Sequence, residues 1–385
     1  MKKTINLPLT NTISKMAERK KTPNAIAGRL AKIRFILEDS KTDAIMISDI
    51  NNIRYLTGFS GSAANLLIFP DKIHLVTDDR YEEQLEWDLY DMPEIETHIT
   101  RDYWQYLKDN GLLKNVKSIL FEADKMPYGV AVETRNIIRP IKFKPTESTM
   151  DIFMVPKDPL ELEAIKEACR IAEASYEKII KKIKTGISEQ ELSAELAYIC
   201  RMEGSEGPPF PFIVLSGKNT SLPHGKPNPE KKIKKNELVL FDFGCKVDGF
   251  GSDITRTVCY GKPTKEMTTA YSALVEAQNA AIKETHAFMK SDILDQKARE
   301  VLKKHKLEEY FKHSLGHGIG YSAHEHPIIS IRKPEENIPQ NSVLAIEPGV
   351  YMPGKWGMRI EDNIFVTVKD VERLTNAPAK LPTIS

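Results

Sequence analysis

Four carboxylates and one histidine in the C-terminal part of this 385-residue chain are of the types that bind divalent metal ions: Asp242, Asp253, His317, Glu347 and Glu361. Each sits in a short stretch whose local geometry is readable. An oxygen-rich set of this kind suits harder divalent ions such as Mn²⁺, with Co²⁺ and Zn²⁺ as alternatives, better than it suits a thiolate-type structural zinc. A pair of such ions makes water reactive and polarises a carbonyl, so the chemistry indicated is metal-assisted hydrolysis.

The elements that must bring these groups together read as two β-hairpins. In the stretch from Glu237 to Val258, apolar and β-branched runs flank Val247-Asp248-Gly249. A turn at Val247-Asp248 sets Asp242 opposite Asp253. A turn at Asp248-Gly249 sets Asp242 opposite Thr255, with Asp253 diagonal to it on the same face. Either turn brings the aspartates together, whereas a one-residue slip between them would not. The second pair repeats the arrangement: Glu347 and Glu361 are equally far from Gly354, and Arg359 shares the face of Glu361. Any single acidic residue near a turn is more simply read as solvated. Here three of the four follow apolar runs that suit buried strands, and four buried carboxylates repel one another and resist ionisation unless cations offset them.

The segment from His313 to Pro327 holds four of the nine histidines, interleaved with glycines that let backbone pass close to other groups. The four cysteines, Cys169, Cys200, Cys245 and Cys259, lack Cys-x-x-Cys spacing and read as packing residues. His-Glu-x-x-His is absent, which argues against a thermolysin-type helix site.

At this point the chain resembles the pita-bread metallopeptidases: methionine aminopeptidase, prolidase and aminopeptidase P. Their pattern has an Asp, a second Asp eleven residues on in Ser-Asp-x-Thr-Arg-Thr, a His in Gly-His-Gly, and two glutamates. Asp242, Asp253, His317, Glu347 and Glu361 match it at all five positions. The resemblance implies that these five hold two divalent ions and that Glu347 also shuttles protons. It implies that His324 stabilises the tetrahedral intermediate, that His224 and His313 are pocket histidines, and that Arg359 supports the last ligand. Asn52 to Gly61 is similar to the N-terminal domain of prolidase and aminopeptidase P, which methionine aminopeptidases generally lack. Two departures, the proline-rich Gly207–Phe212 stretch and Tyr321, fall near the implied pocket. Tyr351 and Phe212 are candidates for its walls.

Length and alternating helix-like and strand-like runs point to two domains. Residues 1–23 read as a loose tail. Residues 24–155 read as an α/β domain with a helix over Ala25–Leu37 and strands at 43–47, 65–69, 73–76 and 118–122. Residues 156–385 read as the catalytic domain, in which the order helix, helix, hairpin occurs twice. Its helices are expected at 160–184, after the capping box Ser188–Glu191, at 264–286 and at 293–306. The resemblance implies an α+β pita-bread fold with pseudo-twofold halves, preceded by a creatinase-like N-terminal domain. The net charge of +1 gives no nucleic-acid-binding signal, and no apolar run spans a bilayer. The N-terminus has no signal-peptide core, so a cytoplasmic protein is expected; a homodimer is expected from the family. The expected activity is removal of the first residue from peptides with proline second, as an Xaa-Pro aminopeptidase. The alternative is an Xaa-Pro dipeptidase. Five intact ligand positions argue against a metal-free creatinase-like enzyme and against a binding module on the same fold.

Overall fold

The structure is a computed structural model that describes residues 23–385, so the expected N-terminal tail lies outside the described residues up to Pro23. The chain divides into two compact units, with the division after Phe153. No described helix is long and apolar enough to cross a membrane.

The N-terminal unit is a mixed sheet with helices. Its first helix, α1 (Pro23–Ser40), buries Ile26, Leu30, Ile33 and Leu37 at helical spacing. Six strands follow: β1 (Ala44–Ile47), β2 (Ala64–Ile68), β3 (Ile73–Thr77), β4 (Ile95–Ile99), β5 (Ser118–Glu122) and β6 (Lys142–Thr146). Their order across the sheet is β4-β3-β2-β1-β5-β6, with β2 antiparallel to β1 and β3 and the other pairs parallel. The four strands expected from apolar runs are present within one residue. β4 and β6 were not expected. They are the two edges, and their sequences, Ile-Glu-Thr-His-Ile and Lys-Phe-Lys-Pro-Thr, carry the charge and proline that edges tolerate.

The C-terminal unit contains two copies of one building scheme. In the first, α2 (Pro159–Ile179) and α3 (Glu189–Met202) pack on β7 (Ile213–Ser216), β8 (Glu237–Phe243) and β9 (Ile254–Tyr260). The capping box at Ser188 forms as expected, Ser188 Oγ accepting from Glu191 N at 3.1 Å and Glu191 Oε2 from Ser188 N at 2.8 Å. A second, at Asp158 and Glu161, starts α2. The helix expected to reach Lys184 stops at Ile179, because the chain turns to bury Ile183 in the same core. In the second copy, α4 (Lys265–Glu284) and α5 (Asp292–Lys304) cover β10 (Gly316–Gly318), β11 (Glu325–Ile329), β12 (Ser342–Ile346) and β13 (Asp362–Val366). All four cysteines are buried and unbridged.

Strand alternation explains why apolar strands end in carboxylates. Val239, Phe241 and Phe243 of β8 face the helices, so Asp242 faces away from them. Leu344 and Ile346 of β12 and Ile364 and Val366 of β13 enter the other helix-covered core, so Glu347 and Glu361 continue the opposite faces.

Lys157 is wholly buried and pairs with the carboxylate of Glu325, while its Nζ also donates to the Met154 carbonyl. The pair joins the segment before α2 to the start of β11, immediately after His324. Removing the cation leaves a buried carboxylate uncompensated. Lys157→Met is therefore expected to lower unfolding free energy by about 3–5 kcal/mol. Lys157→Met/Glu325→Gln should recover part of the loss. Chemical denaturation of the two variants checks this, and equal stabilities for Lys157→Met and the parent would refute it.

Candidate active site

The first hairpin has a single register from the turn to the end of its strands. Val247 pairs with Phe250 and Asp242 with Thr255, so Asp248-Gly249 is the two-residue turn and Asp253 is diagonal to Asp242. Of the two placements open to the sequence, this one is chosen by backbone conformation. Asp248 and Gly249 both take positive φ, 51° and 86°, as a type I′ turn demands, and β-branched Val247 would be strained there. Gly249 is also needed sterically, since a Cβ on it would lie 2.4 Å from the Tyr321 ring.

The second hairpin is one register interrupted at the functional residues. Near the turn, the short strand Gly349–Met352 pairs with Trp356–Arg359, Gly349 opposite Arg359. Farther out, Ile346 pairs with Asp362. Glu347 and Glu361 occupy the gap between these ladders. Their backbone N–H groups are thereby free to leave the hairpin. Glu347 N donates to Leu315 O at 2.8 Å, and Glu361 N donates to Thr255 O at 3.1 Å. That second bond fastens the two hairpins to each other at the carboxylates.

The five side chains converge. Ligand atoms of Asp242, Asp253 and Glu361 lie within 4.8 Å of one another, as do those of His317, Glu347 and Glu361. His317 Nδ1 donates to Gly318 O at 2.9 Å, so its Nε2 presents a lone pair. That nitrogen is 3.8 Å from Asp253 Oδ2 and 3.7 Å from Glu347 Oε1. His324 stands beside it with ring centroids 4.2 Å apart and is exposed. His313 is held from both ends, Nδ1 on Ser314 O and Nε2 on the Tyr351 hydroxyl, each at 2.8 Å. Burial lowers the basicity of His313 and His324, with a smaller contribution from His224, which is exposed on the loop before β8.

Arg359 is buried and donates to Asp242, to Tyr351 Oη at 2.5 Å, to Thr255 Oγ1 at 2.9 Å and to Pro223 O at 3.3 Å. It reaches Glu361 only through Thr255, whose hydroxyl donates to Glu361 Oε2 at 2.7 Å. Thr255 belongs to the motif quoted above, but its bridging role depends on the hairpin register. Asn363 was not singled out by sequence, although its position two residues beyond Glu361 puts it on the same face. Its Oδ1 accepts from Asp253 N at 3.0 Å and its Nδ2 donates to Asp253 O at 2.8 Å, pinning the backbone of that aspartate. Phe212, a candidate pocket wall from sequence, is partly buried and packs edge-on against Phe243 at the margin of the helix-covered core, with ring centroids 5.6 Å apart. Phe210 instead lies beside His324, with ring centroids 6.5 Å apart.

Electrostatics favour added positive charge. Burial, and then the charges of Glu361, Asp242 and Glu347, pushes the Asp253 carboxyl far above the usual range. Burial and the Glu361 charge do the same to Glu347, and burial and Asp242 push Glu361 up to about 7. Burial holds His317 down at about 3, so it is neutral. Asp253 Oδ1 is buried with no hydrogen-bond partner. One guanidinium does not balance four carboxylates, and divalent cations fit this donor set.

Adding Mn²⁺ to metal-stripped protein at about a hundred times its dissociation constant should stabilise the C-terminal unit by about 2.7 kcal/mol, a rise of about 5–10 °C in Tm. Glu361→Gln should abolish most of that shift. Differential scanning fluorimetry reads both, and an unchanged Tm in the parent would sink the assignment.

Comparison with known proteins agrees with this geometry. Residues 163–368 match Metallopeptidase family M24, and residues 29–153 match the Creatinase/Prolidase N-terminal domain. The Xaa-Pro dipeptidase of Pyrococcus horikoshii is 31% identical over 354 residues, covering 92% of this chain and 98% of that protein. Among solved structures, the Xaa-Pro dipeptidase from Bacillus anthracis is similar with a TM-score of 0.87 at 31% identity, over 93% of this chain and 100% of that one. The X-Pro aminopeptidase from Thermotoga maritima MSB8 is similar with a TM-score of 0.83 at 32% identity, over 91% and 98%. The expected fold, a creatinase-like N-terminal domain followed by a pita-bread domain, is borne out, and the chain belongs to metallopeptidase family M24.

Proposed function

We propose that the protein is an Xaa-Pro aminopeptidase that hydrolyses the bond between an N-terminal residue and a following proline. The observation that carries this reading is the convergence of Asp242, Asp253, His317, Glu347 and Glu361 around one buried, charge-deficient centre. These five residues would hold two divalent ions, with Mn²⁺ favoured by the oxygen-rich set and Co²⁺ or Zn²⁺ as alternatives. When bound, such ions supply Lewis acidity that makes water more acidic and a carbonyl more electrophilic.

The chain's own residues do the rest. Glu347 accepts the proton of the attacking water and passes it to the departing prolyl nitrogen. Its exposure supports that role: its side chain is 18% accessible, against 11% for Asp242 and 5% for Asp253. His324, at the open lip of the site, donates to the developing oxyanion. His313 and His224 shape the pocket. Arg359 holds Asp242 directly and sets Glu361 through the Thr255 hydroxyl. The nitrogen of a prolyl peptide bond carries no hydrogen. A site specific for it does better to pack the pyrrolidine ring, and Phe210 is placed beside His324 to do so.

A second reading, Xaa-Pro dipeptidase, draws on the names of the Pyrococcus horikoshii and Bacillus anthracis relatives. The two readings differ in whether the substrate continues past proline. A dipeptidase must recognise the free prolyl carboxylate. Arg359 has its donors committed within the site, and both nitrogens of His313 are engaged, which favours the aminopeptidase.

Release of free alanine from Ala-Pro-Ala and from Ala-Pro, with and without Mn²⁺, separates them. Metal-dependent cleavage of the tripeptide is the expected result. Turnover of the dipeptide alone would establish the second reading. Asp253→Ala should abolish turnover while circular dichroism remains that of the parent; retained turnover would refute the two-ion site. His324→Ala should lower kcat by about 10²–10³-fold. A change confined to KM would remove the oxyanion role from His324.

A further inference from the structure

A second cluster of ligand-type side chains lies in the N-terminal unit, where the proposed chemistry uses none of them. On adjacent parallel strands β3 and β4, His74 is opposite Glu96 and Val76 is opposite His98. His74, Glu96 and His98 therefore share one face of the sheet. His74 Nδ1 is 3.0 Å from His98 Nε2 and 3.6 Å from Glu96 Oε2. One ligand atom from each of the three lies within 4.8 Å of the others. A tetrahedral zinc ion with bonds of about 2.0–2.1 Å requires its donors to be about 3.3 Å apart. The two separations given bracket that value.

The surroundings fit neutral ligands held in place. His74 is buried, and its ring stands nearly perpendicular to that of Phe69, with centroids 5.7 Å apart. Burial lowers the basicity of both imidazoles, so each keeps a lone pair. His98 Nδ1 is 3.3 Å from the Tyr106 hydroxyl, an outer contact that fixes the ring with Nε2 facing His74. Lys72 engages Glu96 Oε1 at 3.1 Å and leaves Oε2 for the cluster. Lys72 lies in the turn between β2 and β3 and is more than half exposed.

We propose that His74, Glu96 and His98 form a structural site for one borderline divalent ion of the Zn²⁺ type, with water as the fourth ligand. The site staples edge strand β4 to β3. β4 has little apolar anchorage of its own, since two of its five residues are exposed and none is buried. Two imidazoles and one carboxylate select softer ions than four carboxylates and one imidazole do, so the two centres differ in metal preference. Without an ion, the same groups make a neutral hydrogen-bonded histidine pair, which is the rival reading.

The test uses the full chain with its catalytic centre disabled. Metal-stripped Asp253→Ala protein is equilibrated with buffered Zn²⁺, and zinc per chain is measured by mass spectrometry. Co²⁺ is then substituted and its visible absorption recorded. We expect one zinc per chain and a tetrahedral Co²⁺ spectrum. Adding His98→Gln, or Glu96→Gln at the exposed position, should weaken zinc binding by at least about tenfold and remove the spectrum. Hydrogen exchange of the β3 and β4 amides should slow with zinc only while His98 is present. Absence of zinc in the Asp253→Ala protein would overturn the proposal. Zinc retained equally with and without His98 and Glu96 would do so too, because the ion would then belong to the C-terminal centre.

Discussion

The C-terminal unit is organised around an electrostatic cost. Four carboxylates, three of them buried and Glu347 partly exposed, are gathered at one site, where the Arg359 guanidinium bonds Asp242. In that setting burial and mutual repulsion raise Asp253, Glu347 and Glu361 together. Such an arrangement is tolerable as a binding site for cations and wasteful as anything else. Much of the surrounding backbone serves to hold the carboxylates in spite of this repulsion.

That holding is done by polar bonds between the two hairpins. Glu361 donates its N–H to Thr255, and Arg256 reaches across to the Glu361 carbonyl and to Asp362 Oδ1 at 2.8 Å. Thr257 Oγ1 donates to Arg359 O at 2.9 Å, and Asn363 brackets Asp253 from both sides. Val239, Phe241, Phe243, Ile254 and Val258 of the first hairpin turn towards its own pair of helices, while Leu238 and Cys259 enter the core of the second copy. The opposite faces carry the candidate ligands Asp242, Asp253, Glu347 and Glu361. The interrupted pairing at Glu347 and Glu361 is what frees backbone groups for these cross-links.

Much of this was legible along the chain. The five candidate ligand positions, both turns, the Ser188 capping box and the central strands of the N-terminal sheet all have local signals: spacing, alternation, positive-φ residues and apolar runs. The edge strands β4 and β6 were not legible, because edges carry charged and proline-containing sequences that mimic loops. Phe210 and Phe212 are both aromatic and both neighbours of proline. Only the fold separates the one beside His324 from the one packed on Phe243.

The order and chemical types of the candidate ligands, and membership of a hydrolytic class, follow from the sequence itself, because motif spacing and strand alternation are local properties. The bridge from Arg359 through Thr255 to Glu361, the clamp of Asn363 on Asp253 and the burial of Lys157 with Glu325 were decided by tertiary structure. Each joins residues far apart in the chain, and a hydrogen bond between distant residues leaves no periodic trace in the sequence. The same holds for His74 and His98, which are 24 residues apart and meet only because β3 and β4 pair in parallel.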